Sequence, residues 1–143
     1  MSDFKLDAFL PYQVAVLARR LSRGFAEIYQ EKFGLSVADW RVLAHLHDAQ
    51  SCSVRDIHLQ ADMEKSRVSR SVARLEGRGL VRRAANRDDK RLLQLTLTEA
   101  GTAMMEELLP LATAYQAEVL GQLRDPARFQ SAMADILAAA KSD

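Results

Sequence analysis

Apolar residues recur every three or four positions along the first quarter of the chain, which predicts an amphipathic helix over about residues 7–33. A glycine at position 34 would end this helix, as glycine commonly does at a helix C-terminus. The apolar stripe consists of Leu10, Val14, Leu17, Leu21, Phe25 and Ile28. Because this spacing is close to a heptad seam, we expect the helix to pack against other helices along its length.

Two short helices should follow, because two segments carry the Ser-x-x-Asp pattern of a capping box. In the first segment Ser36 precedes Asp39 by three residues, and in the second Ser53 precedes Asp56. The segment between them, residues 48–52, is predicted to be a polar loop. These two helices would be the first half of a small helical module.

The hydrophobic period then changes from that of a helix to that of a strand. A helix is predicted over about residues 66–79, with Val68, Val72 and Leu75 on its buried side. Residues 80–84 predict a short strand, and the alternating leucines of residues 92–97 predict a second, half-buried strand. Because polar residues lie between the two strands, we expect a hairpin with a charged tip.

The last third of the chain is predicted to be helical. Thr98 can cap the start of this region, and Pro110 inside it should kink or break the helix. Asp125 followed by Pro126 is typical of a helix start, with a capping carboxylate and a proline in the first turn.

The predicted fold class is mainly α with a small β-hairpin, an α+β winged helix-turn-helix arrangement in a single domain. Residues 36–97 would form the compact module that carries the hairpin as its wing. Residues 4–34 and 98–141 would form a helical region in which the terminal helices pack on each other and on a second copy of the chain.

Charge is distributed unevenly, although the whole chain has a formal net charge of only +1. Residues 65–91 contain ten of the twenty Lys and Arg residues and three acidic residues, a net of +7, which leaves −6 for the rest of the chain. A local basic surface on a nearly neutral protein is typical of a site that binds a polyanion.

The helix predicted over residues 66–79 is expected to contact DNA directly. Arg67, Arg70 and Arg74 lie three and four positions apart, so they share one face of this helix. Arginine can bind guanine through two hydrogen bonds, and serine can bind a base edge or a phosphate. The N-terminal part of a recognition helix usually meets the bases. We therefore place four residues nearest the bases, with Arg74 nearer a phosphate and Ser71 and Arg78 extending the same face. The four are Ser66, Arg67, Ser69 and Arg70.

The tip of the predicted hairpin supplies a second group of cations, Arg87, Lys90 and Arg91. Arginine at a wing tip can enter a narrow minor groove, where the electrostatic potential is most negative. Asp89 is two residues from Arg91 across a tight turn, so we expect it to hold the arginine in one pose.

The chain resembles the multiple-antibiotic-resistance regulator (MarR) family over nearly its whole length. The segments that carry the resemblance are Leu-Ser-Val-Ala-Asp-Trp-Arg-Val-Leu at 35–43, the basic helix and strand start at 66–81, Asp-Lys-Arg at 89–91 and Leu-Thr-Leu-Thr-Glu-Ala-Gly at 95–101. The resemblance implies a homodimer with interleaved terminal helices and a palindromic operator in double-stranded DNA. It also implies a repressor that a small-molecule effector or an oxidant releases.

Four residues, Tyr12, Arg19, Trp40 and His45, are placed near an effector crevice between the dimer helices and the DNA-binding module, although aromatic residues at helical spacing are more often core. Cys52 is interpreted as a small loop residue rather than a redox sensor, and one cysteine cannot form an internal disulfide. The three histidines lack the clustering of a metal site. We expect no cofactor, metal or catalytic site.

A cytoplasmic protein, associated with the nucleoid through DNA, is expected because the N-terminus lacks the positive region of a signal peptide and the apolar stretch 8–18 is too short and broken to cross a membrane. Two other functions stay open. A non-specific or architectural DNA-binding protein would not discriminate between sequences. A winged-helix protein–protein adaptor would have a wing poor in basic residues, whereas this one is rich in them.

Overall fold

The computed structural model describes residues 3–85 and 93–140, and in these ranges it contains six α-helices and one β-hairpin. A single 3-10 turn, Leu6–Ala8, precedes the first helix. The elements are α1 (Leu10–Phe33), α2 (Val37–Ala49), α3 (Val54–Ala61), α4 (Lys65–Gly77), β1 (Val81–Ala85), β2 (Leu93–Leu97), α5 (Glu99–Leu120) and α6 (Pro126–Ala139). The predicted fold class and the order of its elements are confirmed.

Both predicted capping boxes are present. The Ser36 hydroxyl accepts from the Asp39 amide at 3.1 Å, and the Asp39 carboxylate accepts from the Ser36 amide at 3.1 Å. Ser53 and Asp56 make the same pair of bonds at the start of α3. Because these bonds satisfy amide groups that have no partner inside the helix, they fix where α2 and α3 begin.

The core of the molecule lies where α2, α3 and α4 meet the hairpin. The three apolar positions predicted for the buried side of α4 are fully buried. They pack in one cluster with residues of the other elements, including Val42, Leu43, Leu46, Ile57, Leu95, Met105 and Leu108. Burial of this stripe determines which side of α4 faces outward.

The hairpin is antiparallel, and its register pairs Val81 with Leu97 and Ala85 with Leu93. The predicted alternation holds at buried Leu95, but Leu93, at the other end of the strand pairing from Val81, is 46% exposed. Cys52 lies in the connection between α2 and α3, as predicted, but its surroundings are apolar and not polar. It forms a one-residue bridge to Leu95 through two backbone hydrogen bonds of 2.8 and 3.2 Å, and it is buried.

The prediction that Pro110 would kink or break this region is wrong as far as a break is concerned, since α5 continues from Glu99 to Leu120. A proline removes one amide donor, which leaves the carbonyl of Glu106 without its helical partner. Both residues lie on the exposed side, where water can replace that bond. Leu108 and Leu111 keep the opposite side of the helix packed against the core.

The first half of α1 and the whole of α6 are poorly covered within one chain. Leu10, Val14 and Leu17 are between 41% and 52% exposed, although they belong to the apolar stripe of α1. α6 contains no buried residue. None of the helices in the described ranges is long and apolar enough to cross a membrane.

The start of α5 depends on Gly101, and substituting this glycine tests the packing of α5 on the hairpin. A Cβ at this position would lie 2.1 Å from the carbonyl oxygen of Leu80, so the backbone would have to move. We expect Gly101→Ala to lower the free energy of unfolding by about 1–3 kcal/mol in urea titrations.

Gly77→Ala is the matched control, because a Cβ at Gly77 meets no atom within 4 Å. This change should stabilise the protein by up to about 0.5–1 kcal/mol through helix propensity. A Gly101→Ala protein as stable as the original would contradict the close approach of α5 to Leu80.

Candidate nucleic-acid interface

α3 and α4 form a helix-turn-helix in which α4 presents its polar face outward. The turn between them is short, and Asp62 adopts a left-handed backbone conformation there, with φ of 52°. Four residues predicted to meet the bases are all exposed on the side of α4 opposite the buried stripe: Ser66, Arg67, Ser69 and Arg70. The structure therefore brings these four side chains to one accessible surface near the N-terminus of α4.

The inner face of α4 contains a polar contact as well as the apolar stripe. The Ser71 hydroxyl donates to Oδ1 of Asp39 at 2.6 Å, and Nη2 of Arg74 donates to the same oxygen at 2.9 Å. The same Arg74 nitrogen lies 3.3 Å from the hydroxyl of Ser36. The start of α2 and the middle of α4 are thus joined by hydrogen bonds around one carboxylate.

Ser71 does not extend the outer face of α4, as the sequence interpretation had it, because it is fully buried. The physical reason is the helical repeat. Ser71 lies three residues after Val68 and four before Leu75, so it belongs to the buried stripe.

Arg78 also differs from its prediction. Its guanidinium donates to the carbonyl oxygens of Phe33 at 2.9 Å and Gly34 at 3.3 Å. Carbonyl groups at the end of a helix have no partner inside it, so this arginine satisfies the C-terminus of α1. Arg78 therefore ties the end of α4 to the end of α1 instead of extending the outer face.

Arg74 is both bound to a buried carboxylate and accessible to solvent. Its side chain is 51% exposed, even though its guanidinium nitrogen Nη2 donates to Asp39. Sequence spacing placed it on the outer face with Arg67 and Arg70, and it lies at the edge between the two faces. The contact with Asp39 was not predicted, because the two residues are 35 positions apart.

The hairpin is linked to α4 by an ion pair between Arg83 and Glu76, with 3.2 Å between Nε and Oε1. Both side chains are partly exposed, so the pair contributes little to stability. The residues predicted for the tip of the wing, Arg87, Asp89, Lys90 and Arg91, lie outside the described residues.

Burial and hydrogen bonding act in opposite directions on Asp39. Burial favours the neutral acid and would raise the pKa of this carboxyl. Hydrogen bonds from Ser71, Ser36 and Arg74 favour the carboxylate, and together they hold the pKa of Asp39 below its ordinary value. The carboxylate is therefore charged at neutral pH, although it is only 5% exposed.

Two cavities lie between the DNA-binding module and the terminal helices. The first, of about 270 Å³, is lined by Trp40 together with Phe25, Tyr29 and Tyr115. The second, of about 420 Å³, is lined by four arginines, Arg19, Arg23, Arg41 and Arg67. Trp40 and Arg19 thus line adjacent cavities, which share Arg41.

The other two residues predicted for an effector crevice, Tyr12 and His45, line neither of these cavities. Tyr12 lies in the first turn of α1, six residues before Ala18, where the lining of the second cavity begins on this helix. At 1.5 Å per residue this separation is about 9 Å along the helix axis. Helical periodicity places residues on a face but does not show how far along the helix a neighbouring element reaches.

Burial raises the pKa of the Cys52 thiol to about 11, and the charge of Asp56 acts in the same direction. A thiol with this pKa is neutral at physiological pH and reacts slowly, which favours a packing role. In the described ranges, no group of three His, Cys, Asp or Glu residues could hold a metal ion.

The helix-turn-helix, the antiparallel hairpin and the exposed arginines of α4 define a winged helix-turn-helix DNA-binding protein. Residues 33–92 match the family model described as the MarR family. The transcriptional repressor MdtR of Bacillus subtilis is 33% identical over 115 residues, which cover 79% of this chain and 74% of MdtR. The chain belongs to the MarR family and is a DNA-binding transcription regulator.

Solved structures agree with this assignment. The MarR family regulator SPO1453 from Silicibacter pomeroyi DSS-3 superposes with a TM-score of 0.84 at 32% identity, covering 96% of this chain and 98% of that protein. BpsR of Bordetella bronchiseptica, whose DNA binding is regulated by 6-hydroxynicotinic acid, shares the fold with a TM-score of 0.76 at 24% identity, over 98% of this chain and 100% of BpsR.

The contacts of Asp39 predict a specific pH dependence of stability. Because its pKa is lower in the folded than in the unfolded protein, Asp39 stabilises the fold at pH values above the unfolded pKa of about 3.9. This stabilisation is lost as the pH falls through the lower, folded pKa. At pH 7, Asp39→Asn should lower the free energy of unfolding by about 1.5–3 kcal/mol.

The difference in unfolding free energy between the original protein and Asp39→Asn should stay constant from pH 7 to pH 5 and shrink towards pH 3. Urea titrations at fixed protein concentration measure it. If the difference in unfolding free energy is the same at every pH, the pKa of Asp39 is not lowered in the folded protein, and the interpretation of its contacts is wrong.

Proposed function

We propose that the protein is a cytoplasmic repressor that binds a palindromic operator in double-stranded DNA as a homodimer and is released by a small molecule or another signal. The observation that carries this proposal is the polar surface of α4. Its serines and arginines are exposed near the N-terminus of the helix, while the opposite face is buried in the core. The relative MdtR is named a transcriptional repressor, which supports repression and not activation as the proposed mode of regulation.

In this proposal α4 enters the major groove and reads bases through Arg67 and Arg70, with Ser66 and Ser69 beside them. Arginine forms two hydrogen bonds with guanine, and these contacts provide discrimination between sequences. One guanidinium nitrogen of Arg74 is bound to Asp39, and the side chain stays half exposed. The exposed part of the guanidinium can contact a phosphate of the DNA. The wing would place Arg87, Lys90 and Arg91 in the minor groove, with Asp89 orienting Arg91.

A homodimer is proposed because the apolar stripe of α1 continues where the chain itself does not cover it. Leu10, Val14 and Leu17 on α1 are exposed, as are Ile136 and Leu137 on α6. Several large apolar side chains exposed along one helix stripe are typical of an interface. A second copy of the chain would cover them and bring two α4 helices to the two half-sites of a palindrome.

The two cavities beside α2 are proposed to receive the effector. Trp40 and the aromatic residues around it offer an apolar wall, and the adjacent crevice has four arginines, including Arg19, and one acidic residue, Glu27. Arg67 lines that crevice and also belongs to the outer face of α4. A ligand there would act beside the recognition helix.

Selection of genomic DNA fragments with the purified protein tests the proposed function. We expect enrichment of a short palindrome whose half-sites lie about one helical turn apart, protected by a dimer in footprints. Binding to it should exceed binding to unrelated duplex by about a thousandfold or more. Equal binding to every duplex would favour an architectural protein, and no DNA binding would favour a protein–protein adaptor.

Arg70→Ala should lower the affinity for the selected operator by about 1–3 kcal/mol and relax the base preference at one position of each half-site. Competition titrations with single-base variants of the operator measure both effects. Lys32→Ala removes the same charge near the C-terminal end of α1 and should change neither. An equal loss on all sequences would reassign Arg70 to the DNA backbone.

Leu17→Glu should convert the dimer into monomer in sedimentation velocity runs, because a charge would be buried without a partner at the centre of the stripe. Leu59→Glu is the control, since Leu59 is 52% exposed on α3, away from the stripe. A Leu17→Glu protein that sediments like the original would place the dimer interface elsewhere.

A further inference from the structure

The Asp39 carboxylate uses its two oxygens for two different tasks. Oδ2 accepts from the Ser36 amide and completes the capping box of α2. Oδ1 points to α4, where it accepts from the Ser71 hydroxyl and from Arg74. The donors on α4 lie three residues apart, which is nearly one turn of the helix.

Helix capping alone does not explain this arrangement, because the molecule contains a second box for comparison. Asp56 caps α3 with the same bonds to Ser53, at 2.9 and 3.1 Å. Asp56 is nevertheless exposed, whereas Asp39 is buried. Burying a carboxylate is costly unless it is hydrogen-bonded, so the second oxygen of Asp39 needs the donors that α4 supplies.

The apolar contacts of α4 would hold the helix in place but fix its rotation only loosely, because the hydrophobic effect has no direction. Hydrogen bonds weaken steeply when their angle changes. Two such bonds from one turn of α4 to one buried oxygen therefore restrict both rotation and sliding of the helix. The side chains on the opposite face, Arg67 and Arg70, turn with it.

We infer that Asp39 is a positioning residue for DNA recognition, which sets the rotation of α4 through Ser71 and Arg74 so that the outer arginines meet the base edges. This inference rests on the proposed role of α4 in reading the operator. Asp39 itself is buried behind the helix and does not touch DNA in this arrangement.

Two variants test the inference against one control. Asp39→Asn keeps the shape of the side chain and removes its charge, and Asp56→Asn makes the same change in the other capping box. Ser71→Ala removes a donor that is fully buried, so any effect on DNA binding acts through the placement of α4. The measured quantity is the ratio of the affinities for the selected operator and for an unrelated duplex.

We expect Asp39→Asn to lower this ratio about tenfold, and Ser71→Ala about three- to tenfold, as the loss of hydrogen bonds to a charged group suggests. Affinity for the unrelated duplex should stay within about twofold, because phosphate attraction does not need a fixed rotation. Asp56→Asn should leave the ratio within about twofold. Unchanged ratios in both Asp39→Asn and Ser71→Ala would overturn the inference.

A second measurement does not depend on DNA. Amide hydrogen exchange in the free protein should become faster in α4 than in α3 for Asp39→Asn, and not for Asp56→Asn. If the original protein binds all duplexes equally, the proposed function fails. The rate of amide hydrogen exchange in α4 of the two variants then decides by itself whether Asp39 holds this helix in place. Equal protection of α4 in both variants would then overturn the inference.

Discussion

The division of α4 into a buried and an exposed face is the constraint on which the rest of the structure depends. Val68, Val72 and Leu75 are fully buried, which decides which side of the helix faces the core. Asp39 adds direction to this packing through Ser71 and Arg74. Arg67 and Arg70 are then left on the exposed face of the helix, as the proposed recognition of base edges requires.

Much of this fold was predictable because it depends on local signals. The two capping boxes, the stripe of α4 and the change of period at the hairpin each involve residues a few positions apart. Ser71 and Arg78 were placed wrongly because their partners are 32 and about 45 residues away. A serine or an arginine in a polar stretch has the same local pattern whether it faces DNA or a polar group of the protein itself.

Other departures from the predictions have physical causes of the same kind. Pro110 is tolerated inside α5 because it lies on the exposed side of a helix whose other side is packed. Cys52 follows a polar stretch in the sequence, but its backbone pairs with Leu95, which draws it into the core. Of the four residues predicted near the effector, Trp40 and Arg19 line the two cavities beside α2 and Tyr12 and His45 line neither of them, and a role in effector binding stays a prediction for all four.

The most direct test of the central claim maps the position of α4 on DNA. Ser69→Cys would carry a tethered hydroxyl-radical generator, and Cys52 would remain unlabelled because it is buried and its pKa is raised to about 11. On the selected operator, the account predicts strand cleavage confined to the centre of each half-site, on the major-groove side. Cleavage spread evenly along the duplex, or confined to its flanks, would contradict recognition by the outer face of α4.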